Sequence, residues 1–233
     1  MLLQAAERSP DSIVLADRDR RLSYKDWAAQ VIKLADSLVA EGIRHGDRVA
    51  FSMRNTIEFA TALYATQMFG AVAVPFNFRL KPDTVNHIIR DSGARTLIFD
   101  DSITDADLDT LIENNPGMKL IRSGGKLRAG ELSLQDLVEQ GSERLHGEID
   151  RLDFSIIVYT SGTTGQPKGV PLTHRDNYGR LVTYIMTAEP HFDTGARTFG
   201  AAPLYHTVGI HWVFLQTIFV NGTYYPVSKV DNE

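Results

Sequence analysis

There is no cysteine in this chain. That absence removes disulfide bridges, thiolate nucleophiles and cysteine-ligated metals from consideration, and it is compatible with a cytoplasmic setting, which is the expectation here. Long hydrophobic runs are missing too. The most apolar stretch, Ile210 to Val220, carries His211 and Gln216 and is too short to cross a bilayer, so it is predicted to be a buried helix. Met1-Leu2-Leu3-Gln4 lacks the basic and continuous apolar regions of a secretion signal. Positive charge is in deficit: 24 Lys and Arg against 29 Asp and Glu give a net charge of −5, and no basic cluster exceeds Arg18-Asp19-Arg20-Arg21. Nucleic acid and anionic membranes are therefore not expected partners. What is present is a 233-residue chain, 43% hydrophobic, long enough to bury a substantial core.

Helical and strand periodicities alternate along it, which predicts an α/β fold of layered, mostly parallel sheets flanked by helices. Ser23, with Asp26 three residues on, reads as a helix cap, and Trp27, Val31, Leu34, Ala35 and Leu38 then recur at helical spacing until Gly42. Val49–Met53 reads as a strand, Asn55 as the cap of a helix to about Phe69, and Val72–Pro75 as the next strand. Pro82 opens a helix ending near Gly93, and Thr96–Phe99 is a further strand. The acidic stretch Asp100 to Asp109 reads as a solvated helix N-terminus rather than a metal site, and Ser123-Gly124-Gly125-Lys126 as a surface turn. The polar segment Gln140 to Asp150 is expected to connect two subregions, residues 1–150 and residues 151–233, of one N-terminal domain.

Phe154 to Tyr159 is short, apolar and β-branched, as a buried parallel strand should be. Directly behind it, Thr160-Ser161-Gly162-Thr163-Thr164-Gly165-Gln166-Pro167-Lys168-Gly169 packs four hydroxyls, three glycines and a lysine into ten residues. Glycines let backbone N–H groups turn toward a ligand, hydroxyls donate to phosphate oxygens, and lysine adds a mobile positive charge. The order implies an anion-gripping loop. It is not a Walker A loop, because Pro167 separates Gly165 from Lys168, Gly169 follows the lysine, and Val170-Pro171-Leu172-Thr173 reads as a second strand instead of a helix. The glycine spacing also fails the dinucleotide pattern.

The string Tyr159-Thr160-Ser161-Gly162-Thr163-Thr164-Gly165-Gln166-Pro167-Lys168-Gly169-Val170 resembles the signature of the adenylate-forming (AMP-binding) superfamily. Ala202-Pro203-Leu204-Tyr205-His206-Thr207-Val208-Gly209 resembles an element of its acyl- and aryl-CoA synthetase branch. Gly46-Asp47-Arg48-Val49, Gly70 to Pro75 and Gly222-Thr223-Tyr224 fall in the order expected of such proteins. The resemblance implies a ligase that joins a carboxylate to the α-phosphate of ATP, releases pyrophosphate and passes the acyl group to CoA, with Mg²⁺ accompanying ATP. A small carboxylic acid, ATP and CoA are then the implied partners, with homo-oligomerisation left open. Similarity of Pro203–His206 and Gly222–Tyr224 to aryl-CoA ligases points to an aryl or medium-chain acid.

By the same resemblance, Thr160, Ser161, Gly162, Thr163, Thr164, Gly165 and Lys168 grip the phosphates, with Thr163 and Thr164 closing over the β,γ-phosphates. Lys168 either touches phosphate or pairs with a carboxylate when ATP is absent. His206 is the implied catalytic gate residue, bordering the carboxylate site and the thiol route, and Gly209 and His211 are candidates for the acyl pocket. His174 reads as a local structural residue, and no residue is assigned to a metal. The family's Tyr-x-Thr-Glu, Thr-Gly-Asp and C-terminal lysine elements do not occur in this sequence. The expectation is therefore an N-terminal portion, inactive alone, without the C-terminal domain. Two alternatives stay open: a non-catalytic phosphate- or partner-binding remnant, and an adenylate-forming enzyme with a non-CoA acceptor.

Overall fold

The computed structural model describes residues 1–160, 165–187 and 194–228. After a short helix α1 (Leu2–Arg8), a hairpin of β1 (Ile13–Ala16) and β2 (Arg21–Ser23) leads into α2 (Tyr24–Ala40). The Ser23 hydroxyl accepts from the Asp26 N–H, the predicted cap. Four strand–helix units follow: β3 (Arg48–Ser52), α3 (Ile57–Met68), β4 (Val72–Pro75), α4 (Pro82–Ser92), β5 (Thr96–Phe99), α5 (Asp105–Asn114), β6 (Lys119–Arg122), β7 (Glu131–Ser133) and α6 (Leu134–Gln140). The chain continues through β8 (Phe154–Thr160), β9 (Lys168–Thr173), α7 (His174–Thr187), β10 (Arg197–Gly200), a π-helix (Val208–Phe214), α8 (Leu215–Phe219) and β11 (Thr223–Pro226).

Two sheets result. The larger runs β7-β6-β5-β3-β4-β8-β9, and every neighbouring pair in it is parallel except β8 with β9. The smaller runs β10-β11-β1-β2, with β11 parallel to both β1 and β10. The expected division at residue 150 therefore coincides with no sheet boundary. β8 pairs with β4, and β1 pairs with β11, because each needs a neighbour from the far side of that point to satisfy its backbone groups.

β4 and β5 are buried along their whole length, as a parallel sheet covered on both faces requires. α3 is buried nearly all round, from Ile57 to Thr66, because it lies in the main core, which also contains α2, Phe214 and Tyr224. The Trp27 indole N–H donates to the Thr61 hydroxyl at 3.0 Å in this layer. A second core of Val85, Ile88, Leu97, Phe99 and Leu108 involves α4, α5 and β5. Among the described residues no helix is long and apolar enough to cross a membrane.

Three local expectations differ from what forms. Thr56, not Asn55, caps α3, accepting from the Phe59 N–H at 3.1 Å. The apolar stretch from Ile210 begins as a π-helix rather than a continuous α-helix. Asp105 and Asp107 do occupy the first turn of α5, but Asp100 is buried at 4% exposure and accepts from the backbone and side chain of Arg54. Burial of that carboxylate is offset by the paired guanidinium.

Candidate active site

Thr160 and Lys168 face each other as the last cross-strand pair of β8 and β9, so the predicted phosphate loop is the connection of an antiparallel hairpin. Both are exposed at its mouth, and Gly165 takes the left-handed conformation with φ of 94°. Ser161, Gly162, Thr163 and Thr164 lie outside the described residues. Lys168 forms no ion pair with a described carboxylate.

Two side chains one turn apart on α4 hold the flanks of this loop. The Tyr159 hydroxyl donates to Asp91 Oδ2 at 2.6 Å, just before the loop, and His87 Nε2 lies 2.9 Å from the Pro167 carbonyl just after it. Burial first, and then the Asp91 carboxylate, push the Tyr159 hydroxyl well above its ordinary pKa, so it stays protonated and donating. Opposite Tyr159 in the ladder stands Gly169, where a Cβ would come within 2.9 Å of Ile157 and 3.0 Å of the Tyr159 ring. Glycine is required there for the tyrosine to lie across the strand.

The second motif lies on the same carboxyl edge of the larger sheet. Asn55, three residues past β3, donates from Nδ2 to the carbonyls of Gly200 at 2.8 Å and Ala202 at 3.0 Å, and accepts the Leu204 N–H at 2.8 Å. One amide side chain thus fixes the segment leading to His206. β3, β4 and β8 are consecutive parallel neighbours, so the ends of β3 and β8 stand about 10 Å apart. Ligand sites of such sheets form at the carboxyl ends of the strands.

His206 is exposed, and its Nδ1 accepts the Val208 N–H at 3.2 Å, which leaves the proton on Nε2, the nitrogen directed away from that bond. Gly209 is buried, and a Cβ on it would stand 2.0 Å from the Pro203 carbonyl oxygen, so only glycine lets the π-helix close on this segment. His211, proposed for the acyl pocket, takes a different place. It is fully buried, with Nε2 2.8 Å from Asn177 Oδ1 on α7 and Nδ1 3.3 Å from the Thr207 carbonyl. Burial, and secondarily the charge of Arg180, lower its pKa to about 4, so the ring is neutral and ties the π-helix to α7. The structure brings Thr160, Gly165 and Lys168 together on the hairpin, and His206 and Gly209 on the facing segment, but not His211. His174 stands at the start of α7 as a half-buried residue, held by a backbone bond to Asp153.

Sequence reasoning passed over Asn55 as a site residue, and it missed His87 and Asp91. Asn55 carried the signal of a cap, which its neighbour supplies, and the i, i+4 spacing of His87 and Asp91 on one helix face was the only available mark of the pair.

A family model described as AMP-binding enzyme matches residues 2–232. Feruloyl-CoA synthase of Amycolatopsis sp is 32% identical over 221 residues, covering 95% of this chain and 42% of its own length. 4-Chlorobenzoate–CoA ligase of Arthrobacter sp is 31% identical, covering 97% of this chain and again 42% of the relative. Among solved structures, the anthranilate CoA ligase AuaEII in complex with anthranoyl-AMP superposes with a TM-score of 0.92 at 24% identity, over 98% of this chain and 44% of that one. The chain thus spans less than half the length of these relatives. The hairpin loop, the His206 segment and a family match over nearly the whole sequence converge on one assignment: the chain belongs to the AMP-binding enzyme family.

Proposed function

We propose that this chain is the N-terminal portion of an ATP-dependent carboxylic acid–CoA ligase. The observation that carries the reading is the placement of the Thr160–Lys168 hairpin and the His206 segment on one edge of the sheet. In the proposed reaction a carboxylate oxygen attacks the α-phosphorus of ATP and pyrophosphate leaves. The CoA thiol then attacks the acyl carbon and AMP departs. Charge builds on the leaving phosphates, where Thr160, the backbone about Gly165 and Lys168 are placed to donate hydrogen bonds and positive charge. The loop residues Ser161, Gly162, Thr163 and Thr164 are proposed to complete that grip. His206, with its Nε2–H directed outward, is placed to donate to the carboxylate or its adenylate and to border the thiol's approach. His211 is not part of this proposal for substrate contact.

Mg²⁺ would travel with the triphosphate. The described residues contain no cluster of three His, Asp or Glu side chains able to hold a metal, so no protein ligand for it is assigned and no step is drawn through it. The aryl preference rests on the feruloyl and 4-chlorobenzoate relatives and on the Pro203–His206 element.

The test is carboxylate-dependent pyrophosphate release from ATP and Mg²⁺, by this chain and by a form extended with any coding sequence that follows Glu233. Release by the extended form alone, with aryl acids preferred, supports the reading. Release by the 233 residues themselves overturns the view that they are insufficient. Silence from both forms across aryl and fatty acids overturns the ligase and leaves a phosphate- or partner-binding module.

A further inference from the structure

Between β4 and α4 the chain makes a short turn whose contacts reach the His206 segment. The Asn77 side-chain oxygen accepts the Arg79 N–H and the Asn77 carbonyl accepts the Leu80 N–H, both at 3.0 Å, so the turn is fixed locally. It runs directly into α4, where Pro82 holds the first helical position and the Lys81 carbonyl accepts from Thr84 and Val85. Phe78 in this turn is half-buried and belongs to neither hydrophobic core. Its ring meets that of Tyr205 edge-on, with centroids 6.2 Å apart, and the Arg79 guanidinium lies over it at 5.2 Å. Tyr205 immediately precedes His206 and follows Leu204, whose N–H Asn55 accepts. The far part of α4 holds the other half of the site, through His87 at the Pro167 carbonyl and Asp91 at the Tyr159 hydroxyl. At 1.5 Å per residue, about 14 Å of helix separates Pro82 from Asp91. Val85, Ile88 and Ile89 bury its inner face in the second core, so the helix moves as a unit.

Building on the ligase reading, we propose that α4 and its leading turn form one positioning element for both halves of the site. Phe78 sets the placement of His206 through Tyr205, while His87 and Asp91 set the placement of the phosphate hairpin. Phe78 touches no substrate in this role. It limits where the Tyr205 ring, and with it the adjoining His206, can lie. The proposed attack needs a carboxylate beside His206 in register with a triphosphate at the hairpin, and a misplacement of about 1 Å can cost about a hundredfold in rate. A brace shared by the two halves keeps their separation constant, where two independently anchored loops would drift.

The experiment follows the His206 ring by proton–carbon NMR in the 233-residue chain at fixed pH, without nucleotide, acid or CoA. The signal is assigned by its loss in His206→Ala. Releasing the hairpin flanks with the pair His87→Ala and Asp91→Ala is expected to shift it, because α4 then relaxes against Tyr205. In a Phe78→Ala background the same pair should give no further shift, as sites coupled through one residue do not add. Phe78→Tyr keeps the ring and should restore the response. Asp83→Ala, an exposed change on the same helix, should shift nothing. A merely structural role for Phe78 would lower the thermal midpoint without making His206 depend on residues at the hairpin. An unmoved His206 signal on flank release overturns the proposal. So does a response that persists in Phe78→Ala, which would route the coupling through the sheet and Asn55. If Phe78→Ala does not fold, Phe78→Leu keeps the bulk, removes the aromatic edge and decides the same question. No substrate is present, so ligase activity can hold or fail in the pyrophosphate assay without changing any of these outcomes.

Discussion

Single side chains in this molecule do work that their neighbours in sequence do not announce. Asn55 makes three hydrogen bonds to the Gly200–Leu204 segment. Asn55→Ala leaves two carbonyls and an N–H unpaired in a partly buried place, so it should cost about 3 kcal/mol in denaturant unfolding and lower His206-dependent activity in the extended protein. Gly209→Ala drives a methyl group onto the Pro203 carbonyl, which is backbone and cannot swing aside, and about 2 kcal/mol or more should be lost. His211 sets a pH dependence. Its folded pKa of about 4 lies below the ordinary 6.5, so the unfolded chain binds the proton first and stability is lost as pH falls from 6.5 toward 4. His211→Gln should shallow that decline in unfolding midpoints measured across the window. The slope should not vanish, since burial also lowers the His174 pKa. Of these three residues the sequence marked Gly209 as the end of the Ala202–Gly209 element and His211 as a histidine on the apolar stretch beyond it, and the structure shows that Gly209 is needed where the π-helix closes on Pro203. The bond of His211 to α7 was not legible, because whether a histidine on an apolar helix faces a neighbouring helix depends on α7, more than twenty residues upstream.

At the scale of elements, helices with local start signals were legible and segments held by distant partners were not. Ser23 and Pro82 announced α2 and α4, and Gly93 ended α4 at φ of 67°. The polar segment after α6 read as a plain connector, yet the Ser142 backbone and hydroxyl and the His146 ring all bond Asp36 on α2. Those bonds, Ser142's foremost, lower the Asp36 pKa from 3.8 to about 2. A depressed carboxylate contributes stability above its unfolded pKa and loses it as pH falls toward the folded value, so this attachment should weaken between about pH 4 and pH 2. Asp36→Asn should flatten the acid limb of the stability curve there, and speed hydrogen exchange in residues 141–150 at neutral pH. The hairpin loop offers a second test at this scale. Asp91→Ala and His87→Ala release its two flanks from α4 without touching phosphate, so pyrophosphate or ATP should bind more weakly while the thermal midpoint changes little. An unchanged affinity would show that the grip does not depend on α4.

The molecule as a whole is tied together across its length. Periodicity identified β3, β4, β5, β8 and β9, and the parallel character of the larger sheet followed from the strand–helix alternation. No periodicity could pair β1 with β11, because that contact is set by burial in the completed core, where the Tyr24 hydroxyl donates to the Gly222 carbonyl at 2.9 Å. Residues 1–150 and 151–233 expressed separately should each lack a cooperative thermal transition, and mixing them should restore one. A cooperative transition in either piece alone would contradict the interlocked sheets. The same pairing bears on how the protein is made. Leu15 registers with Tyr224, roughly two hundred residues later, so at about 5–20 residues per second a ribosome leaves one edge of β1 open for some 10–40 s before its partner emerges. During that interval the nascent chain exposes an unsatisfied apolar strand, and chaperone occupancy on stalled ribosomes should persist until β11 has cleared the exit tunnel.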